Sequence, residues 1–240
     1  IRKLEESTAK LKQSEREGAW REMAKQVAHE IKNPLTPMKL SIQHLMRVQQ
    51  TQPERAAEMM EKVSGNLIEQ IENLSRIASE FSNFAKMPRA NRQVLQLNEV
   101  INSVYQIFRE TPDDSELLYI ELPEQTIEVF ADKGQIIQVL NNLIKNAIQA
   151  IPDDRQGMIT LKLIPQEDMA TILVEDNGSG IPHAMIEKVF SPNFTTKTSG
   201  MGLGLAISKN IIDATGGQIY FKTKANQGTT FFIELPIYKE

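Results

Sequence analysis

Two long runs of apolar residues at helical spacing constrain this chain more than any other feature. In the first, Ala24, Ala28, Ile31, Leu35, Met38, Ile42 and Leu45 recur in alternating steps of four and three. In the second, Met60, Val63, Leu67, Ile71, Leu74, Ala78 and Phe81 recur in the same way. Such spacing is the apolar seam of a helix packed in a bundle. Thr51-Gln52-Pro53-Glu54 separates the runs, and a proline in the first turn restarts a helix. The spacing therefore predicts a helical hairpin over residues 24–87, its helices antiparallel. One hairpin leaves a side of its seam in water. Two hairpins paired as a four-helix bundle bury it, so a homodimer is expected.

The first run carries Ala28-His29-Glu30-Ile31-Lys32-Asn33-Pro34-Leu35. With Ala28 and Ile31 at positions a and d, His29 falls at b, beside the seam and facing water. Asn33 and Thr36 share its face. Pro34 removes an N–H in mid-helix and crowds the carbonyl of Glu30, so a bend is expected near His29. A lone surface histidine is ordinarily just solvated, and His44 and His183 read that way. His29 differs in having a carboxylate beside it and a kink within about a turn. Before this run, residues 1–23 hold Ile1, Leu4, Thr8 and Leu11 at heptad spacing and read as a coiled-coil stalk.

Composition narrows the setting. The 240 residues are 40% hydrophobic and 24% charged, as in soluble globular proteins of one or two domains. The absence of cysteine excludes disulfides and thiolate chemistry. No apolar run approaches the roughly 18 residues of a membrane span, and no signal peptide opens the sequence, so a cytoplasmic location is expected. The chain begins at Ile1 in a helical pattern, which leaves open a preceding sensor portion and, through it, a membrane attachment. A net charge of −4 argues against nucleic acid as a partner. Residues 1–90 carry 15 Lys and Arg against 12 Asp and Glu, about +3, leaving about −7 for the remainder. That contrast places a domain boundary and linker at residues 88–93.

Beyond the linker, over residues 94–240, the pattern alternates between strands and helices. Short strands are expected at residues 94–97, 118–121, 126–130, 158–164, 171–175, 218–222 and 230–235. Helices are expected from Asn98, as cap, to Arg109; from Asp132, as cap, to Ile151; and near 202–215. The order predicts an α/β layer over one mixed sheet, not a doubly wound domain.

Four stretches of this second part carry chemistry. Asn142 and Asn146 stand four apart on one helix face, and paired amides suit oxygen ligation of Mg²⁺ shared with phosphates. Asp176-Asn177-Gly178-Ser179-Gly180 follows a strand. Its carboxylate can accept from the exocyclic amine of adenine, and its glycines permit positive φ and the close approach of a ligand. Phe190-Ser191-Pro192-Asn193-Phe194-Thr195-Thr196-Lys197 sets two aromatics among turn residues, as a lid would, with Lys197 in reach of a phosphate. Gly200-Met201-Gly202-Leu203-Gly204 opens a helix, where backbone N–H groups cradle phosphate. The G-K-[ST] ending of a P-loop is absent.

In this order and spacing the four stretches resemble the N, G1, F and G2 boxes of the ATP-binding domain shared by histidine kinases, type II topoisomerases and Hsp90 chaperones. Residues 29–37 and Phe81-Ser82-Asn83-Phe84-Ala85-Lys86 are most similar to the nitrogen-regulation type of bacterial sensor histidine kinase. The resemblance implies an α+β chain. A dimeric four-helix bundle built from the hairpin would be followed by an α/β sandwich that binds ATP and Mg²⁺. It implies transfer of the γ-phosphoryl group to His29, with Glu30 as base, and then to an aspartate of a response regulator protein. It also implies that Asn146 and Asn142 hold the metal. The nucleotide would lie among Asp176, Gly178, Gly180, Phe190, Thr195, Thr196, Lys197, Gly200, Gly202, Leu203 and Gly204. In related kinases a residue placed as Asn33 is associated with dephosphorylating the regulator. Two other readings stay open: an ATPase of the same superfamily, and a degenerate kinase acting as a dimeric scaffold. ATPase relatives place a glutamate where this chain has Asn142, and an amide cannot act as a base.

Overall fold

A computed structural model of the protein describes residues 27–28, 30–85, 90–110, 117–191 and 202–239. His29, the 1–23 stalk, residues 86–87 of the hairpin, linker residues 88–89, and Thr195, Thr196, Lys197 and Gly200 lie outside the described residues. The chain divides into two compact units, one of residues 1–87 with 192–203 and the other of residues 88–191 with 204–240.

In the first unit, helix α1 covers residues 30–51 and helix α2 covers Pro53–Ala85, with Gln52 alone between them. Pro53 opens α2, where its missing N–H costs nothing. Helix α1 is continuous through Pro34, which is buried. The apolar seam proves to be two-sided. Ile31, Met38 and Leu45 are half-buried beside buried Val27 and Pro34, whereas Ala28, Leu35 and Ile42 are exposed. Helix α2 divides likewise, with Val63 and Ile77 buried but Met60 and Ile71 about half exposed, at 50% and 52%. Leu35 and Ile42 are exposed to 46% and 44%. A bundle helix needs a stripe wider than a two-helix seam, and within one chain only half of it is covered.

Among the described residues the second unit holds seven strands and three α-helices. Strand β1 (Gln93–Gln96) pairs antiparallel with β3 (Glu128–Ala131) as a separate two-stranded sheet. The other five strands are β2 (Leu118–Glu121), β4 (Ile159–Pro165), β5 (Met169–Asp176), β6 (Gln218–Lys224) and β7 (Gly228–Pro236). They lie in the order β2-β4-β5-β7-β6, parallel between β2 and β4 and antiparallel elsewhere. The single mixed sheet expected from the strand order is thus two sheets. Sequence order cannot tell which strand edge a short segment will meet, and β1 finds β3.

Burial alternates along β4, β5 and β7, so Ile159, Leu161, Ile172, Val174, Phe231 and Ile233 face one side. On that side lie α3 (Leu97–Arg109), α4 (Lys133–Ala150) and α5 (Gly204–Ala214). Helix α4 packs against both α3 and α5 and contributes Ile136, Val139, Leu140, Leu143, Ile144 and Ala147 to the core. Burying each of its larger aliphatic side chains contributes roughly 1.5–3 kcal/mol. Asp132 caps α4 as expected, its Oδ1 accepting from Gln135 N at 3.0 Å. Asn98 does not cap α3. The cap position is Gln96, and Asn98 sits inside the first turn. Its Nδ2 donates to the carbonyls of Pro123 and Gln125, and its Oδ1 accepts from Ile127 N. That side chain pins the β2–β3 connection, a task local sequence does not reveal.

Candidate nucleotide site

Strand β5 ends at Asp176, paired with Ile159 of β4 on one side and Thr229 of β7 on the other. The side chain points to the helix face of the sheet, where the residue is only 6% exposed. Its Oδ1 accepts two backbone N–H groups, from Gly178 at 2.8 Å and from Thr229 at 3.2 Å. Burial pushes the Asp176 carboxyl above its ordinary range; the two N–H donors pull it back, and neighbouring Glu175 adds to the rise. A buried carboxylate held by fixed donors is rigid and oriented, as a recognition group must be.

The turn after Asp176 is tightly crossed by other backbone. A Cβ on Gly178 would stand 2.5 Å from the carbonyl oxygen of Ala150, at the end of α4, and 2.8 Å from Asp176 Oδ1. The close approach expected here is therefore made by the protein's own chain. Gly180 has φ of 71° and passes the carbonyl of Lys224. Arg155 donates through Nη1 to the carbonyls of Asn177 (2.5 Å) and Gly178 (2.9 Å). Thr223 Oγ1 accepts from Ile181 N at 2.8 Å and lies 3.0 Å from Thr229 Oγ1.

Helices α4 and α5 meet through the first asparagine of the pair. Asn142 Nδ2 donates to Ser208 Oγ at 3.0 Å, and Ser208 Oγ donates to the carbonyl of Gly204 at 2.9 Å. A Cβ on Gly204 would fall 2.0 Å from Asn142 Oδ1, so a side chain there would displace this amide. Asn142 and Asn146 are both half-buried, one helical turn apart. Gly202 has φ of 61° and Leu203 is buried. Phe190 is half-buried with its ring against Phe221 and Phe231, so it is anchored on the sheet. In the helical unit Glu30 is half-buried and Asn33 exposed. His44 and His183 are exposed, as ordinary surface residues should be.

Sequence reasoning gives no site role to Thr229, Thr223, Ser208 or Arg155, although Gly228-Thr229-Thr230-Phe231 resembles the last strands of the ATP-binding family. Two of them left a signal. Ser208 is a lone polar residue in the apolar stripe Ile207, Ile211, Ile212 of α5, and Thr229 follows Gly228 at a strand start.

Among the described residues no three His, Cys, Asp or Glu side chains cluster as a metal site. A cation here would rest on the neutral amides and share its ligands with phosphates, as Mg²⁺ does.

Residues 131–239 match the family described as "Histidine kinase-, DNA gyrase B-, and HSP90-like ATPase". Residues 19–90 match the "His Kinase A (phospho-acceptor) domain". The chain is 30% identical to the nitrogen regulation protein NtrY of Azorhizobium caulinodans, over 95% of its own length and 30% of that protein. It is 34% identical to the sensor histidine kinase ZraS of Salmonella typhi, over 95% of its length and 48% of that protein. The chain thus spans between about a third and a half of these curated relatives. Among solved structures, the catalytic domain of histidine kinase ThkA superposes with a TM-score of 0.54 at 35% identity, covering 61% of this chain and 97% of that one. ThkA in complex with response regulator protein TrrA gives a TM-score of 0.67 at 30% identity, over 90% of this chain and 61% of that one. An acceptor-domain match on the helical unit, an ATPase-domain match on the sheet unit, and this catalytic-domain likeness leave one conclusion: the chain belongs to the sensor histidine kinases.

Proposed function

We propose that this chain is a kinase core that takes the γ-phosphoryl group of ATP onto His29 and passes it to an aspartate of a response regulator protein. The observation that carries the reading is the buried, doubly hydrogen-bonded Asp176 at the end of β5, in a chain that also bears His29 in a helical acceptor unit. Oδ1 of Asp176 takes both backbone donors, and Oδ2 is the oxygen for the adenine amine. Backbone N–H groups of Gly202, Leu203 and Gly204 would meet the phosphates, and Thr195, Thr196, Lys197 and Gly200 are assigned to the nucleotide from the sequence motif alone. Asn146, with Asn142 next to it, would hold Mg²⁺, which when bound offsets phosphate charge. Glu30 accepts the proton of the His29 imidazole. Incubation of the purified chain with γ-labelled ATP tests this: acid-labile, base-stable label is expected, and its absence refutes the reading.

The exposed stripe of Leu35, Ile42, Met60 and Ile71 supports a homodimer in which a second copy completes a four-helix bundle. On this reading residues 1–23 are a stalk, 24–87 the dimerisation and acceptor hairpin, 88–93 a linker and 94–240 the ATP-binding domain. The linker must let the ATP-binding domain reach His29. No helix among the described residues is long and apolar enough to cross a membrane. We place this part of the protein on the cytoplasmic side, where ATP is supplied.

Asn146→Ala is expected to weaken ATP binding roughly tenfold when Mg²⁺ is present and little when it is chelated. Nucleotide titration with and without the metal decides this, and equal affinities of variant and parent in Mg²⁺ rule out the ligand role. Asn33→Ala should keep autophosphorylation but lose most dephosphorylation of the phospho-regulator. Asn33 is exposed one turn past His29, and an amide can orient water in line with an acyl phosphate without adding a negative charge. The rate of label loss from purified phospho-regulator checks it; equal rates with and without the amide sink the idea.

A further inference from the structure

The turn that carries Asp176 is held as three consecutive peptide planes, and each has its own partner. In the first plane, Asn177 N donates to Met158 O at 3.2 Å. The Asn177 side chain reinforces it, accepting from Met158 N at 2.9 Å and donating to Gln156 O at 3.0 Å. The second plane joins the Asn177 carbonyl to the Gly178 N–H, and the third joins the Gly178 carbonyl to the Ser179 N–H. In a trans peptide, C=O and N–H point in opposite directions. Whatever grips the carbonyls therefore aims the N–H groups. Arg155 Nη1 grips both, at 2.5 and 2.9 Å. The opposed N–H groups then fall on Asp176 Oδ1 (2.8 Å) and on Ala150 O (2.9 Å).

We propose that Arg155 is a positioning residue for nucleotide recognition, which acts on Asp176 through the Asn177–Gly178 peptide. Its proposed action runs through those two carbonyls and calls for no contact with base or phosphate. Among the described residues Arg155 is the partner that holds the second plane from the carbonyl side. Without it that plane can rotate, and Asp176 loses one of its two backbone donors. Arg155 is itself set in place by the turn that follows α4, where its own N–H donates to Pro152 O at 3.1 Å. The residue is half-buried, so its charge-assisted bonds are stronger than ordinary surface contacts. The same turn lies between α4 and β4, and from it Arg155 reaches the two carbonyls that follow β5.

The inference rests on the reading of Asp176 as the adenine acceptor, and two variants separate the failures. The measurement is equilibrium affinity of the full chain for ATP and for purine riboside triphosphate, which lacks the exocyclic amine. Arg155→Met, which keeps the stem and removes the donors, should weaken ATP about tenfold and the amine-free analogue less than about twofold. The labelling rate at saturating ATP should not change, because the phosphates and His29 are untouched. Arg155→Lys, which restores a charged donor, should recover part of the preference. Equal loss for both nucleotides, or an unchanged preference, overturns the proposal. If Arg155→Met loses its cooperative thermal transition, Arg155→Leu, which also removes the donors, carries the same test by the same criterion. Asp176→Asn serves as reference. If it abolishes the preference while Arg155→Met does not, Arg155 is refuted alone; if neither alters the preference, the adenine reading falls too.

Discussion

His29→Gln is expected to reduce acid-labile labelling of the chain to background, a loss of at least about a thousandfold of the kind seen when a covalent nucleophile is removed. An imidazole can attack a phosphoryl group at neutral pH because its uncharged form is well populated there. A glutamine amide has no nucleophilic nitrogen and cannot form the N–P bond. The same substitution should leave ATP affinity and oligomeric state within about twofold, since the heptad register puts His29 off the seam and Asn142, Asn146 and Asp176 belong to the other compact unit. Label retention in acid and base, ATP titration and sedimentation of the variant are the three measurements. Base-stable label that survives the substitution would move the acceptor to another residue, and His44 and His183 are the remaining histidines.

Gly178→Ala should cost nucleotide affinity and stability together. The added methyl would stand 2.5 Å from Ala150 O and 2.8 Å from Ala150 C, both backbone atoms at the end of α4. Backbone cannot swing aside as a flexible side chain can, so the turn must shift. The shift loosens Ser179 N from Ala150 O and Gly178 N from Asp176 Oδ1. Overpacking of this kind costs about 1–3 kcal/mol. In a chain of this size that lowers the melting midpoint by roughly 2–12 °C. ATP binding should fall by roughly ten- to a hundredfold, because the carboxylate loses a donor and its position. Gly65→Ala is the matched control. Gly65 lies within α2 with nothing near its missing Cβ, and alanine there favours the helix by roughly 0.5–1 kcal/mol. Calorimetric melting and ATP titration of the two variants should diverge in sign for stability and in magnitude for binding. A Gly178→Ala protein that binds ATP like its parent would show that the turn has slack which the crowded geometry denies.

Much of the fold was legible because local spacing encodes the face a residue presents. Strands β2, β4, β5, β6 and β7 lie within a few residues of where alternation placed them, and Asp132 caps α4 because the cap bond spans only three residues. The site was legible in outline for a related reason. Asn142, Asp176 and Gly204 each sit in a short motif whose backbone setting, helix face, strand end or helix start, follows from its neighbours. His29 and the 192–201 stretch stand on sequence alone.

Sequence by itself determined the periodicities: helical steps that demand a bundle, alternation that demands a sheet with one face covered, and glycines where no side chain fits. Tertiary structure decided what each of those features meets. It divided the seam of α1 into an inner side, with Val27 and Pro34, and an outer side, with Leu35 and Ile42. It sent β1 to β3 and away from the main sheet. It turned Asn98 from a cap into a brace for residues 123–127, and joined Asn142 to Ser208 across 66 residues of chain. It also revealed that Gly178 is crowded by the Ala150 carbonyl. Periodicity is a property of neighbouring residues and survives in any one segment. A hydrogen-bond partner or a steric neighbour exists only after distant segments are packed, and many sequences with the same local pattern would pack different ones.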